Sequence, residues 1–381
     1  MSSKAFAGRA ISLAEMVPMH FARYLLQGVY RSVISFKVGL VLLGLALLTG
    51  CDNHPVIQKY SGNIMGTTYH VSVLMLDNDE ARQQIAEGIH QTLVDIDLKM
   101  STYKPHSELS RFNQTAPGEW FDVSTDTGKV ISEALDLSDS SQGAFDPTVG
   151  PLVNLWGFGP DLKPNKIPDE LTLAEAFTRV GYGALRIEPQ LSGSDNSRSV
   201  SGYRVKKDKD IYLDLSAIAK GYGVDKVALY LEKSGYKSYL VEVGGEIRVK
   251  GAKPNGSLWR IAIEKPVSDG QVVQGVMGLS DIAVATSGSY RNYFEYEGQR
   301  YSHTIDPANG LPINHTLASV TVLHPSCASA DALATTLMVM GPDKGFKYAQ
   351  DNNLAVYMLV KSGDEFTVKQ TQQFLKTAQL N

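Results

Sequence analysis

The run from Ala328 to Met340 constrains the chain most: it is built almost wholly from Ala, Thr, Leu and Met. Ala, Leu and Met are strong helix formers, so the run predicts a helix with small residues along its surface. Whatever packs on such a surface comes close. Asp331 and Thr335 stand four apart and therefore share one face, a turn from each other. A carboxylate and a hydroxyl so placed suit a hard cation such as Mg²⁺, which takes oxygen ligands and keeps positions for water or phosphate. The same pair also reads as an ordinary helix-start acid and a Thr bonded to a carbonyl of the preceding turn. The rest of the chain decides between these readings.

The 381 residues carry a net charge of −4, with 20% charged and 43% hydrophobic residues, an ordinary globular composition. Lys4, Arg9, Arg23, Arg31 and Lys37 face only Glu15 within the first fifty residues, which leaves the remainder at −8. An acidic body without a basic run argues against nucleic-acid binding. Residues 38–50, VGLVLLGLALLTG, are short for a spanning helix and have the form of a signal-peptide core behind Lys37. They end in Leu48-Thr49-Gly50-Cys51, which resembles a bacterial lipobox. That resemblance implies cleavage before Cys51 and a lipid on its thiol, and Asp52 resembles an inner-membrane retention signal. The expected location is the periplasmic side of a bacterial inner membrane. The leader is long for its type, so Met16 and Met19 are candidate starts. With Cys51 lipidated, Cys327 has no partner and no intramolecular disulfide is expected.

Strands are expected at residues 58–61 and 67–76 around the turn 62–66, followed by an amphipathic helix over 79–99 with Ile85, Ile89, Leu93, Ile96 and Met100 on one stripe. Short helices are expected at 107–113, 125–141 and 169–180. Between the last two lies a stiffened loop, Gly143-Ala144-Phe145-Asp146-Pro147-Thr148-Val149-Gly150-Pro151. Residues 190–210 read as a polar excursion, a hairpin. Ile211–Leu215 reads as a strand that breaks at Ser216-Ala217 into a helix from Ile218 to Ser234. Such a turn gathers free N–H groups that suit phosphate oxygens. Lys220 falls in the first turn, where its charge opposes the helix dipole, so an anionic neighbour is expected; an Asp214–Lys220 pair, or a lysine pointing into water, is the alternative. The glycine spacing is not that of a Walker A loop. A hairpin over Gly244-Gly245 and a meander through 259–264, 272–278 and 282–286 continue a sheet. The strand 317–323 leads into the small-residue helix, and strands near 354–360 and 366–370 close the domain. The pattern predicts an α+β fold: one two-lobed domain over 57–375 with a mixed or antiparallel sheet and flanking helices, after a leader (1–50) and a tether (51–56), with a tail at 376–381.

Five stretches occur together: Met65-Gly66-Thr67; Gly143-Ala144-Phe145-Asp146; Asp214-Leu215-Ser216-Ala217-Ile218-Ala219-Lys220-Gly221 with Asp225; Ser302-His303-Thr304-Ile305-Asp306-Pro307; and Ala330-Asp331 with Thr335. In this order and spacing, over about residues 56–375, they resemble the ApbE family, the FAD:protein FMN transferases. The resemblance implies transfer of the FMN half of FAD to a Thr or Ser hydroxyl of an acceptor flavoprotein, with release of AMP. It implies acceptors such as subunits of sodium-pumping NADH:quinone reductase or the related Rnf complex. Carried over, Asp331 and Thr335 match side-chain Mg²⁺ ligands, and Ala217 a position that gives its carbonyl. Met65, Tyr103, Ala144, Phe145, Asp146, Asp214, Lys220 and Ile305 match FAD-contacting positions. The hydroxyl nucleophile wants a base, for which His303 and Asp306 are the candidates. Two other readings use the same residues: a Mg²⁺-dependent FAD pyrophosphatase, and a non-catalytic FAD-binding lipoprotein.

Overall fold

The hairpin that opens the domain turns on two residues, Met65 (φ 53°) and Gly66 (φ 71°). Positive φ at both central positions is what the tight turn of a right-twisted hairpin requires. The computed structural model describes residues 54–159, 167–193, 199–266, 272–289 and 292–380; the leader, Cys51 and the proposed anchor lie outside them. The hairpin strands are β1 (Val56–Ile64) and β2 (Thr67–Met75), followed by helix α1 (Asp79–Met100), α2 (Glu108–Asn113), β3 (Phe121–Val123), α3 (Thr125–Ser140), α4 (Gly150–Leu155) and α5 (Glu170–Thr178). Then come β4 (Leu185–Ser192), β5 (Ser199–Lys207), α6 (Ala219–Lys233), β6 (Tyr239–Val243) and β7 (Glu246–Lys250). β8 (Trp259–Lys265), β9 (Val272–Leu279), β10 (Ile282–Gly288), β11 (Tyr293–Tyr296), β12 (Gln299–Ser302) and β13 (Leu317–His324) precede α7 (Cys327–Asp351). The chain closes with β14 (Ala355–Ser362), β15 (Glu365–Gln370), α8 (Gln372–Thr377) and β16 (Gln379–Leu380).

Helix starts follow the local sequence closely. Asn78, Ser107, Ser124, Asp169 and Ser326 each accept a backbone N–H at a helix start, which satisfies donors the helix cannot.

Eight strands form one sheet in the order β1-β2-β6-β7-β10-β13-β14-β15, and every neighbouring pair is antiparallel. One face is covered by α1 and α6, through Ile89, Leu93, Val224 and Val227, and by α7, through Leu337 and Met338. The other face is covered by β8, β9 and α8, through Trp259, Ile261, Met277 and Phe374. A second lobe gathers α2, α3 and the β3-β5-β4 sheet around Leu109, Phe112, Ile131 and Val205. The fold is thus an α/β mixture of antiparallel sheets with flanking helices.

Four features depart from expectation. The stretch 259–286 is not one meander: β8 and β9 pair with β16 in a separate sheet, while β10 inserts between β7 and β13. Residues expected as a tail therefore belong to the fold, for Gln379 and Leu380 pair with Gly278 and Met277. Residues 211–215 join no sheet, although Ile211, Leu213 and Leu215 are fully buried. The Asn113 side chain takes the place of a neighbouring strand: its Nδ2 donates to the Leu213 carbonyl and its Oδ1 accepts the Leu213 N–H, both at 2.8 Å. Finally, α7 extends past the small-residue run and kinks at Gly341 (φ 76°) and Pro342. Pro342 has no N–H for the Met338 carbonyl, and the His315 Nε2 donates to it instead at 2.8 Å.

Lys207 is fully buried and fastens the same extended segment. Its ammonium donates to the Asn113 carbonyl at 2.8 Å, to Asp210 at 3.3 Å and to the Ile211 carbonyl at 3.4 Å. Lys207→Met keeps most of the volume but leaves buried acceptors without a donor, so it should cost about 2–4 kcal/mol of stability. Urea melts of the two proteins check this; equal midpoints would show that the cage contributes nothing.

Candidate active site

The small-residue surface of α7 is met by α6. A Cβ at Gly221 would lie 2.3 Å from the Cys327 carbonyl oxygen, so only glycine permits this approach. The crossing is pinned by Asp225, whose Oδ2 accepts the N–H groups of Cys327 at 2.8 Å and Ala328 at 3.1 Å and the Ser326 hydroxyl at 3.1 Å. Its other oxygen accepts from Arg248 at 2.5 Å. On the far side, Asp126 gathers Lys99, Tyr222 and Lys226 at 2.8, 2.6 and 2.9 Å and ties α1, α3 and α6 together. Cys327 itself is a buried free thiol, and burial pushes it well above its ordinary range.

Between α6, α7, the β6–β7 turn and the loops near 144 and 303 lies a cavity of about 600 Å³. Its walls bring together Ala144, Phe145, Asp146, Asp214, Ala217, Lys220, His303, Ile305, Asp331 and Thr335. Asp331, Thr335 and Val339, at successive four-residue steps of α7, form one stripe of the wall.

Asp331 is only 3% exposed. Its Oδ2 accepts the Gly221 N–H at 3.1 Å, a free donor of the first turn of α6. The Lys220 ammonium lies 3.5 Å from the same oxygen and 3.1 Å from Glu246 Oε1. Lys220 does find carboxylates, then, but from β7 and α7 and not from Asp214. Burial alone would lower the Lys220 ammonium, yet Asp331 and Glu246 hold it above its ordinary value. Burial and the Asp331 charge hold the Glu246 carboxyl above its ordinary value, although Lys220 draws it back. Glu246 Oε2 has no hydrogen-bond partner among the described residues.

The acid expected at 214 organises backbone. Asp214 Oδ1 accepts the N–H of Ser216 at 2.8 Å and its hydroxyl at 2.5 Å, and so turns the chain into α6. Its own N–H donates to the Pro147 carbonyl at 2.7 Å, which ties this turn to the stiff loop. Asp146 is similarly occupied: Oδ1 accepts from the N–H and hydroxyl of Thr148 at 2.7 and 2.6 Å, and Oδ2 from the Tyr182 N–H at 3.2 Å. Burial raises the Asp146 carboxyl against these bonds.

His303 presents one nitrogen to the cavity. Its Nδ1 is 2.9 Å from the Asn292 carbonyl, which only accepts, so Nδ1 carries the proton and Nε2 is the acceptor. Phe158 stands edge-on at 6.3 Å. Burial lowers the imidazole below its ordinary value, and the Lys220 charge adds to this against the pull of the Asn292 carbonyl.

Three of the expected residues lie elsewhere. Asp306 is not in the cavity wall; its oxygens accept the Ala308 N–H and the Asn309 amide, both at 2.9 Å, and so close the 306–311 turn. Of the two candidate bases, His303 is the one that lines the cavity. Met65 occupies the hairpin turn and faces the α6 glycine Gly223, outside the cavity wall. Tyr103 is 65% exposed. It is not in the cavity wall, and burial of part of the ring and the charge of Asp214 raise its phenol. Phe145, by contrast, is 3% exposed and belongs to the core as well as the wall.

Residues that sequence reasoning passed over complete the wall: Glu246, the Gly244-Gly245 turn, and Thr286 and Ser287 of β10. The Ser287 hydroxyl is 3.4 Å from that of Thr335. The only signal in the sequence was an acid directly after a two-glycine turn. Among the described residues no three His, Cys, Asp or Glu side chains cluster as a metal group. The donors around α7 are a carboxylate and hydroxyls, with the Ala217 residue alongside. An all-oxygen set of this kind fits a hard cation that keeps water or phosphate in its shell, and does not fit a soft one.

A model of the ApbE family matches residues 65–358. The FAD:protein FMN transferase of Vibrio cholerae serotype O1 is 46% identical over 328 residues, 85% of this chain and 94% of that protein. The FAD:protein FMN transferase of Haemophilus influenzae is 44% identical over 342 residues, 89% and 96% of the two chains. Among solved structures, the flavin transferase ApbE from Vibrio cholerae superposes with a TM-score of 0.74 at 42% identity, covering 85% of this chain and 99% of that one. The apo form of the Pseudomonas stutzeri flavinyl transferase ApbE gives a TM-score of 0.74 at 37% identity, covering 85% and 97%.

Proposed function

The chain belongs to the ApbE family, and from that premise we propose that it is a Mg²⁺-dependent FAD:protein FMN transferase. The observation that carries this reading is the single cavity in which the start of α6, Lys220, the Asp331–Thr335 stripe and His303 face one another. FAD is the first substrate, and a Thr or Ser hydroxyl of a flavoprotein is the second.

Phosphoryl transfer asks the protein for positioning and charge stabilisation more than for covalent help. Asp331 and Thr335, with the Ala217 carbonyl, are the residues that would hold Mg²⁺, which when bound neutralises phosphate charge and polarises the reacting phosphorus. Lys220 supplies a second positive charge to the same phosphates, while the N–H groups of Ala219 and Gly221 are spent on the Leu215 carbonyl and on Asp331. His303 Nε2 takes the proton of the acceptor hydroxyl as its oxygen bonds to the FMN phosphorus. The bond from that phosphorus to the bridging oxygen breaks, and AMP departs with the electron pair. Burial and the Lys220 charge hold His303 below its ordinary value, which favours the neutral imidazole that can accept.

Incubating the protein with FAD, Mg²⁺ and a candidate acceptor should leave flavin fluorescence on the denatured acceptor band. Free FMN and AMP without label would instead support hydrolysis, and bound FAD without turnover a binding role. We further propose that Cys51 carries a lipid that holds the domain on the periplasmic face of the inner membrane, where flavoprotein subunits of NADH:quinone reductase or Rnf type are its acceptors. No helix among the described residues is long and apolar enough to cross a membrane.

A further inference from the structure

Lys220 stands between two buried carboxylates, and only one of them belongs to the proposed cation site. The β6–β7 turn passes close to its stem: a Cβ at Gly244 (φ +61°) would be 3.2 Å from Lys220 Cδ and 2.9 Å from Thr67 Cγ2. The ammonium stands within a short pivot of both carboxylates. At one end of that pivot is Asp331 Oδ2, at 3.5 Å, and at the other Glu246 Oε1, at 3.1 Å. Glu246 is 5% exposed and lines the cavity, and its second oxygen, itself buried, has no hydrogen-bond partner among the described residues. A buried carboxylate oxygen left unpaired is costly, so one that persists points to a partner missing from this state.

We infer that Glu246 is a positioning residue for Lys220: a divalent cation that engages Asp331 displaces the ammonium, and the Glu246 carboxylate takes it over with both oxygens. The inference rests on the metal reading above and adds to it what becomes of the lysine. The cation and the ammonium repel each other if both stay on Asp331. With Glu246 one pivot away, Lys220 stays charged and stays in the wall facing the phosphates. Before the cation arrives, the same lysine keeps two buried carboxylates from standing unneutralised. The site is thus assembled in the absence of metal, and metal binding is an exchange of one cation for another at Asp331.

Calorimetric titration with MgCl₂, without nucleotide, tests the exchange in a double-mutant cycle. Glu246→Gln removes the anion that receives Lys220, so Mg²⁺ has to compete with an ammonium that has nowhere else to go. Its affinity should fall about tenfold, a loss of about 1.4 kcal/mol. In a Lys220→Met background there is no ammonium to hand over, and the same Glu246→Gln change should cost at least threefold less. Equal penalties in the two backgrounds would overturn the exchange and leave Glu246 a distant contributor to the field. A second measurement, FAD binding without metal, should move the other way. With Glu246 neutral, Lys220 is less compensated and FAD should bind as tightly as to the wild type or more so. Weakening of both Mg²⁺ and FAD would mark a merely structural role and overturn the inference. The nucleotide arm needs only Glu246→Gln, so it stands whatever Lys220→Met does to folding. A wild-type chain that binds no Mg²⁺ would refute the underlying metal reading, whereas intact wild-type binding with equal penalties refutes the exchange alone.

Discussion

Asp331→Ala should lower metal-dependent FMN transfer by about a hundredfold or more, which corresponds to about 3 kcal/mol of lost transition-state stabilisation. The side chain is the one carboxylate on the α7 stripe, and its Oδ2 is already aimed by the Gly221 N–H at 3.1 Å. Removing it strips the proposed cation site of its only charged ligand and leaves Thr335 and the Ala217 carbonyl, both neutral. It also frees Lys220 to rest on Glu246 alone. The cavity then keeps one cation, the lysine, where two are needed against a pyrophosphate. Asp331→Asn refines the test, since its amide oxygen still accepts the Gly221 N–H while the charge is gone. Both variants should melt near the wild type, because α6 and α7 remain fastened by Asp225. Initial rates of acceptor labelling, measured across a Mg²⁺ series, read the effect. Wild-type rates in either variant at low Mg²⁺ would remove Asp331 from the metal site.

His303→Ala should lower kcat by about 10²–10⁴, the range for loss of a positioned general base. The KM for FAD should change little, since the acceptor and not FAD gives up the proton. The pH profile adds an independent reading. Burial and Lys220 hold the imidazole below its ordinary value of about 6.5. The base is competent when neutral, so wild-type activity should stay level through neutral pH and fall only on the acid side, below about 6.5. That acid limb should vanish in the variant together with most of the rate. Unchanged transfer at saturating FAD would take His303 out of the reaction and return the search to the cavity wall.

The two predictions differ in how visible their residues were. Asp331 and Thr335 were legible as a pair because a helix fixes their relation locally: four residues bring two side chains to one face. His303 was legible as a motif, but its tautomer was not, because the Asn292 carbonyl that selects it arrives from another segment. Asp306 shows the opposite outcome. Next to Pro307 and ahead of Gly310 it has the chemistry of a base and also that of a turn, and the turn uses its oxygens. Asp146 and Asp214 likewise spend carboxylate oxygens on neighbouring N–H groups and shape the wall through backbone.

Strand partners were the least legible part of the fold. Residues 211–215 read as a strand; they are buried but join no sheet, and their partner is the Asn113 side chain. The strands over 259–288 were legible one by one, but their division between two sheets was not, since β10 pairs with β7 and β13 while β8 pairs with β9. Period-two burial says that a segment lies between layers; it does not say which edge it meets.

What the sequence determined by itself is what nearest neighbours decide: the helix over 79–99, a turn ahead of Thr67, and the small-residue face of α7. Tertiary structure alone decided what came to that face. Gly221 and Lys220 arrive from α6 and Glu246 from β7, so one ammonium sits between two buried carboxylates. The physical reason is range. Backbone geometry and hydrogen bonding act over a few residues, whereas the meeting of Lys220 with Glu246, 26 residues on, and with Asp331, 111 residues on, depends on how the sheet and helices bury their apolar faces together.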